Sequence, residues 1–556
     1  MRFLNRNDLS SSSSCENLSS VLQLQVLITL LFINAVSIST LGRISGVLDP
    51  LAVVGGLLLI CVTTWAFFSY ARLLRQESGG KWFSLFTAAL FFQIFWAFFK
   101  SPLDVDGLGY HLPIVLEPLQ NGQWGHWSFS DWRIQTFPKF GELPHLCLIA
   151  FGNILPGHLG HRLTQFGQFS SVIAGVLACT HLARNSGSTK PTIFGLLFFL
   201  TPIVIKQMGS HSVDVASWSY WLTAAAFLTV PKQVPSLVRS KIFYAGFACF
   251  LHAGTKTSGS LTALALIPLV PRCELILFLS FLIMGAVSWV LPNYLSWGNP
   301  VYPINFSITP NFVGVGSDFH ATFNRSGIPK FIRWLSQFFL FEPIAVYDMN
   351  DGAWGFVGLW SILVFFVHFR DYFKKISLKN RTTLVFICMA LAFFLMPSRI
   401  IPRHGLLGGF LFIGPAVYLL LQGRLSPVWN RLFLLSVGIQ FFYVLGDRVL
   451  LRGVHDPRVA VQTISENVRD VIWDGEPQVS DRWMHFPYVP SLRKQEPREV
   501  IISASNPEVD LKGLYWGKTF SNKVIVESGY CHWPFTCANG KLEPDTTEHL
   551  LSQKPR

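Results

Sequence analysis

Apolar stretches that contain no Asp, Glu, Lys, Arg or His recur along the first 446 residues of the chain. A membrane-spanning helix needs about 20 mainly apolar residues, so each long stretch is a candidate span. The candidates are 21–42, 51–69, 82–99, 166–180, 191–205, 215–231, 242–251, 257–271, 275–292, 352–367, 382–397, 405–423 and 432–446. The pattern therefore predicts an all-α polytopic membrane protein with about 13 transmembrane helices.

The charged residues between these stretches predict how the chain is threaded. A polar tail, 1–20, lacks the pattern of a cleaved signal and is predicted to be cytoplasmic. Loops 70–81, 184–190, 231–241, 272–274, 368–381 and 424–431 then lie inside and hold 16 Lys and Arg against three acids. Cytoplasmic loops carry such an excess of basic residues. The net charge of +13 is therefore assigned to topology rather than to nucleic-acid binding.

Two predicted outer loops are long, about 100–160 and 293–351, and long ordered loops often carry function. The first contains apolar pieces such as 142–155, too short to span, which are predicted to be helices lying in the membrane interface. From 448 to 556 the composition turns polar, with strand-like runs at 500–502 and 524–526. This predicts a small α/β domain, 448–556, on the outer side of the membrane after the transmembrane domain 21–447, in which Cys531 and Cys537 either pair or stay free.

The composition excludes several classes of protein. With 556 residues, 51% hydrophobic and 13% charged, the chain is too apolar for an ordinary soluble protein. Its nine cysteines include no close-set CxxC pair, which argues against metal–thiolate chemistry. The chain has no Walker loop and no GxGxxG between a strand and a helix. A nucleotide-powered pump and a cytoplasmic nucleotide-sugar enzyme therefore have no support.

The densest polar cluster follows the third predicted span, at 104–113. Its two carboxylates, Asp104 and Asp106, stand beside Tyr110 and His111 and are flanked by glycines. Such a group could abstract a proton or hold a divalent cation. The alternative is a solvated loop start with a helix beginning near Pro113.

The order of polar motifs resembles that of bacterial polyprenyl-phosphate-sugar-dependent glycosyltransferases with the GT-C fold. This family includes protein mannosyltransferase-like and lipopolysaccharide-core transferases. The motifs are Asp106-x-x-x-Tyr110-His111-Leu112-Pro113, Asn121-Gly122, Pro144, Asp214, Gly254-Thr255-Lys256-Thr257, Asn293-Tyr294, Asn299-Pro300-Val301-Tyr302-Pro303 and Arg403-His404. The resemblance covers roughly residues 80–420.

The resemblance implies that Asp106 is catalytic. Family members often carry a second acid directly after that Asp, but here Gly107 stands there and the extra carboxylate is Asp104. A catalytic role for Asp104 and any need for a metal are therefore open. The chemistry agrees, since a sugar on a lipid phosphate has a good leaving group and needs one base plus cations for the departing phosphate.

The remaining candidates bind substrate. Lys256, Arg403 and His404 are predicted at outer ends of spans, where cations can hold a lipid phosphate; the alternative is that they snorkel to the interface. His211 and Asp214 either shape the sugar site or cap the following helix. Glu142, together with His145, contacts the acceptor or forms the polar face of an interfacial helix. The full substrate-binding set is Tyr110, His111, Glu142, His211, Asp214, Lys256, Asn299, Arg403 and His404.

These observations predict an inverting membrane glycosyltransferase that moves a monosaccharide from a polyprenyl-phosphate donor to a hydroxyl of a glycan, lipid or protein acceptor. The resemblance implies the bacterial inner membrane, with the site facing the periplasm, although composition equally allows the endoplasmic reticulum. The carboxylates could hold a divalent cation, no other cofactor is assigned, and no nucleic-acid partner is expected. The alternatives are a secondary transporter or lipid-linked-sugar flippase, a polymerase or ligase using diphosphate-linked donors, and an inactive scaffold.

Overall fold

A computed structural model describes most of the first 300 residues and several later segments. The described residues are 11–99, 111–125, 136–155, 163–230, 235–297, 299–300, 304–305, 311–312, 355–368, 381–396, 411, 413–414, 416, 425–446, 537–538 and 541–542. The predicted C-terminal domain and the pair Cys531 and Cys537 fall almost wholly outside these residues. They therefore stay predictions.

The described part of the chain is mostly helical. Its α-helices are α1 Ser11–Thr40, α2 Leu48–Ser78, α3 Gly80–Phe99, α4 Leu112–Asn121, α5 Leu143–Ile154, α6 Gly167–Asn185, α7 Thr192–Phe199, α8 Pro202–Met208, α9 Asp214–Leu228, α10 Pro235–Thr255, α11 Thr257–Ala263, α12 Leu275–Trp297, α13 Gly355–Val367, α14 Arg381–Leu395 and α15 Pro427–Gly446. Short 3-10 helices are Leu41–Arg43, Thr164–Phe166, Leu264–Leu269 and Arg272–Glu274. Two antiparallel pairs of two-residue strands, Ile304–Asn305 with Asn311–Phe312 and Cys537–Ala538 with Lys541–Leu542, complete the elements.

Among the described residues, four helical segments are long and apolar enough to cross a membrane, namely Val21–Arg43, Leu48–Ser78, Thr164–Asn185 and Arg272–Ser296. Large apolar side chains on the outside of the helices are exposed, including Phe68 at 65% and Ile276 at 82%. Apolar surface of this kind suits contact with lipid tails rather than water. The protein is a helical membrane protein, and the count of 13 spans stays a prediction.

The interior is built around α6 and α9. Every residue of α9 is buried, and 15 of the 19 residues of α6 are buried as well. Gly175 of α6 permits this packing, because a Cβ there would lie 2.6 Å from Phe198 and from the Ser219 hydroxyl. A helix apolar on all sides is a buried helix, which explains why α9 shows no amphipathic pattern in the sequence.

Helix α5 corrects one prediction. The segment 142–155 is helical as expected, but its helix does not lie on the surface, since nine of its 12 residues are buried. It packs against α2 at Gly55 and Gly56, where a Cβ on Gly56 would lie 2.3 Å from the backbone oxygen of Cys147. The two glycines thus bring the helix backbones together, a close approach that hydrophobicity alone does not reveal.

Two predicted spans are interrupted. The span 191–205 forms α7 and α8, which are separated before Pro202. The span 257–271 forms the short α11 followed by a 3-10 helix that contains Pro268. Proline lacks a backbone N–H and clashes with the preceding turn, so it ends or reshapes a helix.

Loop contacts fall into two groups at opposite ends of α6. The histidine end contains His111, His145 and His211, and the Glu77 end contains Glu77 with its partners. With 19 residues at about 1.5 Å each, α6 separates the two ends by roughly 28 Å, close to the thickness of a bilayer core. Each group joins loops that the charge pattern assigns to one side of the membrane.

Candidate functional site

The histidine end contains a buried pair formed by His111 and the carboxylate of Glu142. His111 Nδ1 lies 2.7 Å from Glu142 Oε1, and the two side chains are 7% and 1% exposed. His111 directly precedes α4 and Glu142 directly precedes α5, so two loop-to-helix junctions hold the pair. Because a carboxylate accepts hydrogen bonds, Nδ1 carries the proton and donates it. Glu142 Oε2 is also buried and has no hydrogen-bond partner among the described atoms.

The protonation of a second histidine, His145, follows from its two hydrogen-bond partners, one of which can only accept and the other only donate. Its Nδ1 lies 2.6 Å from the backbone oxygen of Thr164, which can only accept, so Nδ1 is the donor. Its Nε2 lies 2.7 Å from the amide nitrogen of Gln168, which can only donate and also donates to the Gly141 oxygen. His145 is therefore held in its neutral form, with both ring nitrogens satisfied.

The third histidine, His211, lies in the loop between α8 and α9. Its Nε2 is 3.2 Å from the Thr164 hydroxyl, and its ring centroid is 4.8 Å from that of His145. Its Nδ1 is buried without a partner among the described atoms. Burial, together with the nearby His145 and His111, lowers the pKa of His211 well below its usual value, so its imidazole is neutral.

Lys139 brings a cation beside the histidine–carboxylate pair. Its Nζ donates to the Phe137 backbone oxygen at 2.8 Å. Burial lowers the pKa of this lysine to about 8, and the Glu142 carboxylate works in the opposite direction. Lys139 can therefore release its proton close to neutral pH, unlike an ordinary surface lysine.

An ion pair joins Asp214 and Lys256 where α9, α10 and α11 meet. Lys256 Nζ donates to Asp214 Oδ1, and the two side chains are 20% and 5% exposed, respectively. Asp214 begins α9, whose positive dipole end favours a carboxylate, and Lys256 follows the end of α10, which favours a cation. Gln207 Nε2 also donates to Asp214 Oδ2 at 3.0 Å.

This arrangement argues against the structural roles considered for Asp214 and Lys256, while their substrate-binding roles stay predictions. Asp214 does not cap α9 with its side chain; Gln207 Oε1 accepts the Val215 N–H at 2.8 Å instead. Lys256 does not snorkel away from the protein, because it turns inward to the carboxylate. The sequence offers no spacing signal for Gln207, which lies seven residues before its partner Asp214.

Gly141 joins the two charged pairs. A Cβ at this position would lie 2.7 Å from Val213, which precedes Asp214, and 2.7 Å from Thr255, which precedes Lys256. The adjacent Phe140 N–H donates to the Gly254 oxygen at 2.9 Å. Three loops that are distant in sequence thus meet at one glycine, and Glu142 follows it directly.

The remaining predicted residues have different outcomes. Asp104, Asp106, Tyr110, Arg403 and His404 lie outside the described residues. Asn299 is described and half-buried shortly after α12. Within the described part of the chain, no group of three or more His, Cys, Asp or Glu side chains could hold a metal ion.

Several residues of the site were not predicted: Lys139, Thr164, Gln168 and Gln207. Lys139 lies three residues before Glu142, and that spacing of opposite charges in a loop rich in aromatic residues was an available signal. Thr164 and Gln168 come from the start of α6, far from their partners in sequence. Polar residues at the end of an apolar stretch look the same in sequence whether they face water or another loop.

Compared with protein-family models, curated proteins and solved structures, the chain matches none. The resemblance to GT-C transferases therefore rests on the motifs in the sequence alone. The geometry adds a buried cluster of acids, histidines and lysines at one end of a membrane protein. Such a cluster can accept protons and bind hydroxyl groups, because it contains both orphaned acceptors and charged donors.

Proposed function

We propose that the protein is an integral membrane glycosyltransferase that takes a monosaccharide from a polyprenyl-phosphate donor. In this proposal Asp106 removes the proton of an acceptor hydroxyl while that oxygen attacks the anomeric carbon. The bond to the phosphate breaks, the lipid phosphate leaves with the electron pair, and the anomeric centre inverts. Lys256 and Arg403, with His404, stabilise the departing phosphate.

One observation carries this proposal: His111, Glu142, Asp214 and Lys256 all lie at the histidine end. Each comes from a loop that the charge pattern assigns to the outer face, and the predicted catalytic segment 104–110 leads directly into His111. Buried charged side chains are normally paired, and clusters of perturbed titratable groups are enriched at functional sites. A reaction at the membrane surface, with a lipid-linked donor, explains why they gather at one end.

The structure modifies the part assigned to Lys256. Its ammonium group is paired with Asp214, so its charge is partly neutralised before any phosphate arrives. Lys256 then acts as one half of a fixed dipole beside the phosphate, and Arg403 carries more of the phosphate charge. The site, the inverting mechanism and the acceptor classes given above belong to this proposal, as does the inner-membrane location.

The test is sugar transfer by purified protein in liposomes from a panel of radiolabelled polyprenyl-phosphate sugars to total membrane acceptors. Wild type is expected to transfer label from at least one donor, and Asp106→Asn is expected to be inserted but inactive. Asp131→Asn, a matched change in the same loop, is expected to keep activity. Substantial transfer by Asp106→Asn would remove Asp106 from the mechanism.

A transporter of lipid-linked sugars is the second candidate. It is favoured by the helix break at Lys256, because transporters build substrate sites from broken helices with buried charges. Flux of labelled donor across sealed vesicles without transfer to an acceptor would support it. Transfer without flux would exclude it.

A further inference from the structure

Three polar atoms in one buried group of side chains have no hydrogen-bond partner. This group, the His145 cluster, consists of Glu142, His145, Thr164, Gln168 and His211, each at most 1% exposed. Within the described part of the chain, its unpartnered atoms are Glu142 Oε2, Gln168 Oε1 and His211 Nδ1. Because buried polar groups are normally hydrogen-bonded, the cluster is completed by a ligand or by water.

The orientation of the Gln168 amide is fixed by its partners. Its Nε2 lies 3.2 Å from the Gly141 backbone oxygen, which can only accept, and 2.7 Å from His145 Nε2. A reversed amide would place two acceptor oxygens against each other, so Oε1 is the unpartnered atom. Glu142 Oε2 is a second acceptor, because the other oxygen of that carboxylate accepts from His111. Two of the three unpartnered atoms therefore need a ligand that donates hydrogen bonds.

His211 fits a ligand that can both donate and accept. Its Nε2 lies 3.2 Å from the Thr164 hydroxyl, which can turn its hydrogen toward the ring or away from it. Nδ1 therefore carries a proton in one arrangement and a lone pair in the other. A hydroxyl group suits all three unpartnered atoms and is close to a water molecule in size. A phosphate or ionised carboxylate oxygen only accepts, so it would repel Glu142 Oε2 and Gln168 Oε1.

Gln168 also links this cluster to the residues proposed to bind the lipid phosphate. The Gly141 oxygen that accepts from Gln168 belongs to the glycine at which the loops before Asp214 and Lys256 meet. At that junction Lys256 supplies a cation, whereas the His145 cluster supplies hydrogen-bond acceptors. A phosphate-linked sugar has the matching arrangement, with an anion at one end and hydroxyl groups at the other.

We infer that the His145 cluster binds hydroxyl groups of a sugar, and that Glu142 and Gln168 determine which pattern of hydroxyls is accepted. The inference rests on the proposed function and adds an orientation to it. The sugar hydroxyls face α5 and α6, while the phosphate faces the junction at Gly141. The hydroxyls belong to the donor sugar or to a sugar of the acceptor, and the chemistry of the cluster is the same for both.

The first test measures binding and needs no transfer. The wild-type protein in lipid nanodiscs is titrated with the methyl glycosides of glucose, galactose and mannose, and binding is measured by saturation-transfer NMR. For the glycoside that binds best, its monodeoxy analogues are compared with the parent compound. At least one analogue should bind about 10- to 100-fold more weakly, because the acceptors that its missing hydroxyl satisfied are left unpaired.

The second test determines whether Glu142 binds that hydroxyl. In Glu142→Gln an amide NH₂ replaces the unpartnered oxygen, so the ratio of parent to deoxy affinity should fall to about threefold or less. Glu142→Asp keeps a carboxylate but withdraws it, and its ratio should lie between those of wild type and Glu142→Gln. The ratio compares two ligands on the same folded protein, so a loss of folded material does not change it.

The matched control is Glu77→Gln at the other end of α6, which also removes the charge of a hydrogen-bonded carboxylate. Its affinity ratio should equal that of wild type. Inhibition of transfer by the same glycoside then identifies the source of the hydroxyls. Inhibition that excess polyprenyl-phosphate sugar relieves assigns them to the donor, and inhibition that it does not relieve assigns them to the acceptor.

Two results would overturn the inference. One is that none of the glycosides binds to wild type, which leaves only water in the His145 cluster. The other is that both Glu142 variants keep the wild-type affinity ratio. Hydroxyl-dependent binding without transfer from any donor would instead refute the proposed function and leave the hydroxyl site in place.

Discussion

A glutamate lies at each end of α6, but the hydrogen bonds of the two carboxylates differ. At the Glu77 end, Glu77 Oε1 accepts from Arg184 at 2.8 Å and Oε2 accepts the Thr192 N–H at 3.2 Å, so both oxygens have partners. At the histidine end, Glu142 is 1% exposed against 20% for Glu77, and one of its oxygens has no partner among the described atoms. Both carboxylates are hydrogen-bonded, but only Glu77 uses both of its oxygens.

The unpartnered oxygen of Glu142 has an energetic cost. A buried polar atom without a partner costs about 1–3 kcal/mol, and proteins keep such atoms mainly where a ligand or water completes them. Glu142 Oε2, Gln168 Oε1 and His211 Nδ1 are three such atoms at the histidine end. Glu142 therefore keeps unused hydrogen-bonding capacity, whereas both oxygens of Glu77 are used.

The largest loss of stability is expected from breaking the ion pair between Asp214 and Lys256. Lys256→Met removes the cation that pairs with the buried Asp214 carboxylate, which should lower the free energy of unfolding by about 3–5 kcal/mol. Thermal unfolding of the purified protein in detergent measures this loss. The double variant Asp214→Asn with Lys256→Met should regain much of it, and failure to do so would show that the two charges act separately.

The stability of the protein should depend on pH through Lys139, which lies at the histidine end. The pKa of Lys139 is about 8 in the folded protein against 10.5 for an ordinary lysine, so the unfolded chain binds more protons between these values. Its contribution to stability therefore rises with pH from about 8 to 10.5, by on the order of 2–3 kcal/mol. Unfolding of wild type and Lys139→Met across this range should show the rise only in wild type; parallel curves would contradict it.

Adding a side chain at Gly141, where the three loops meet, should lower the free energy of unfolding by an intermediate amount. In Gly141→Ala the added Cβ meets Val213 and Thr255 at 2.7 Å, so the loops must move apart at a cost of about 1–3 kcal/mol. Transfer should fall as well, since the two charged pairs separate. Gly438→Ala in α15 is the control, because nothing lies within 4 Å of its added Cβ and its stability should be equal or slightly higher.

The smallest effect is expected at the Glu77 end. Glu77→Gln keeps the geometry but removes the charge from a pair that is about one-fifth exposed, so the loss should be about 1 kcal/mol. Sugar transfer should stay at the wild-type rate. A loss of transfer of tenfold or more would mean that both ends of α6 serve the reaction.

The sequence predicts the helical class well, because apolar stretches without charges have few alternatives in a membrane protein. Nearly all the predicted spans fall on described helices, apart from 405–423, most of which lies outside the described residues. The prediction for 142–155 was wrong in placement. Its length was read correctly as too short to cross, but the glycines that bury it lie in α2, and a pairing across 90 residues leaves no local pattern.

For the site, the sequence predicted residue types but not pairings. Glu142, His211, Asp214 and Lys256 were singled out individually, and the bonds between them follow from how three loops close at Gly141. The capping role considered for Asp214 belongs to Gln207, since a side chain from α8 reaches the first turn of α9. Asp104 and Asp106, the predicted catalytic acids, stay predictions.

The two ends also differ in when they can assemble during synthesis. All partners of the Glu77 end exist once the ribosome has made Thr192, whereas the Asp214 carboxylate waits for Lys256. At roughly 5–20 residues per second, the later lysine follows by several seconds. A nascent chain can thus close the Glu77 end of its bundle first, while the ion pair at the histidine end forms only after Lys256 has been made.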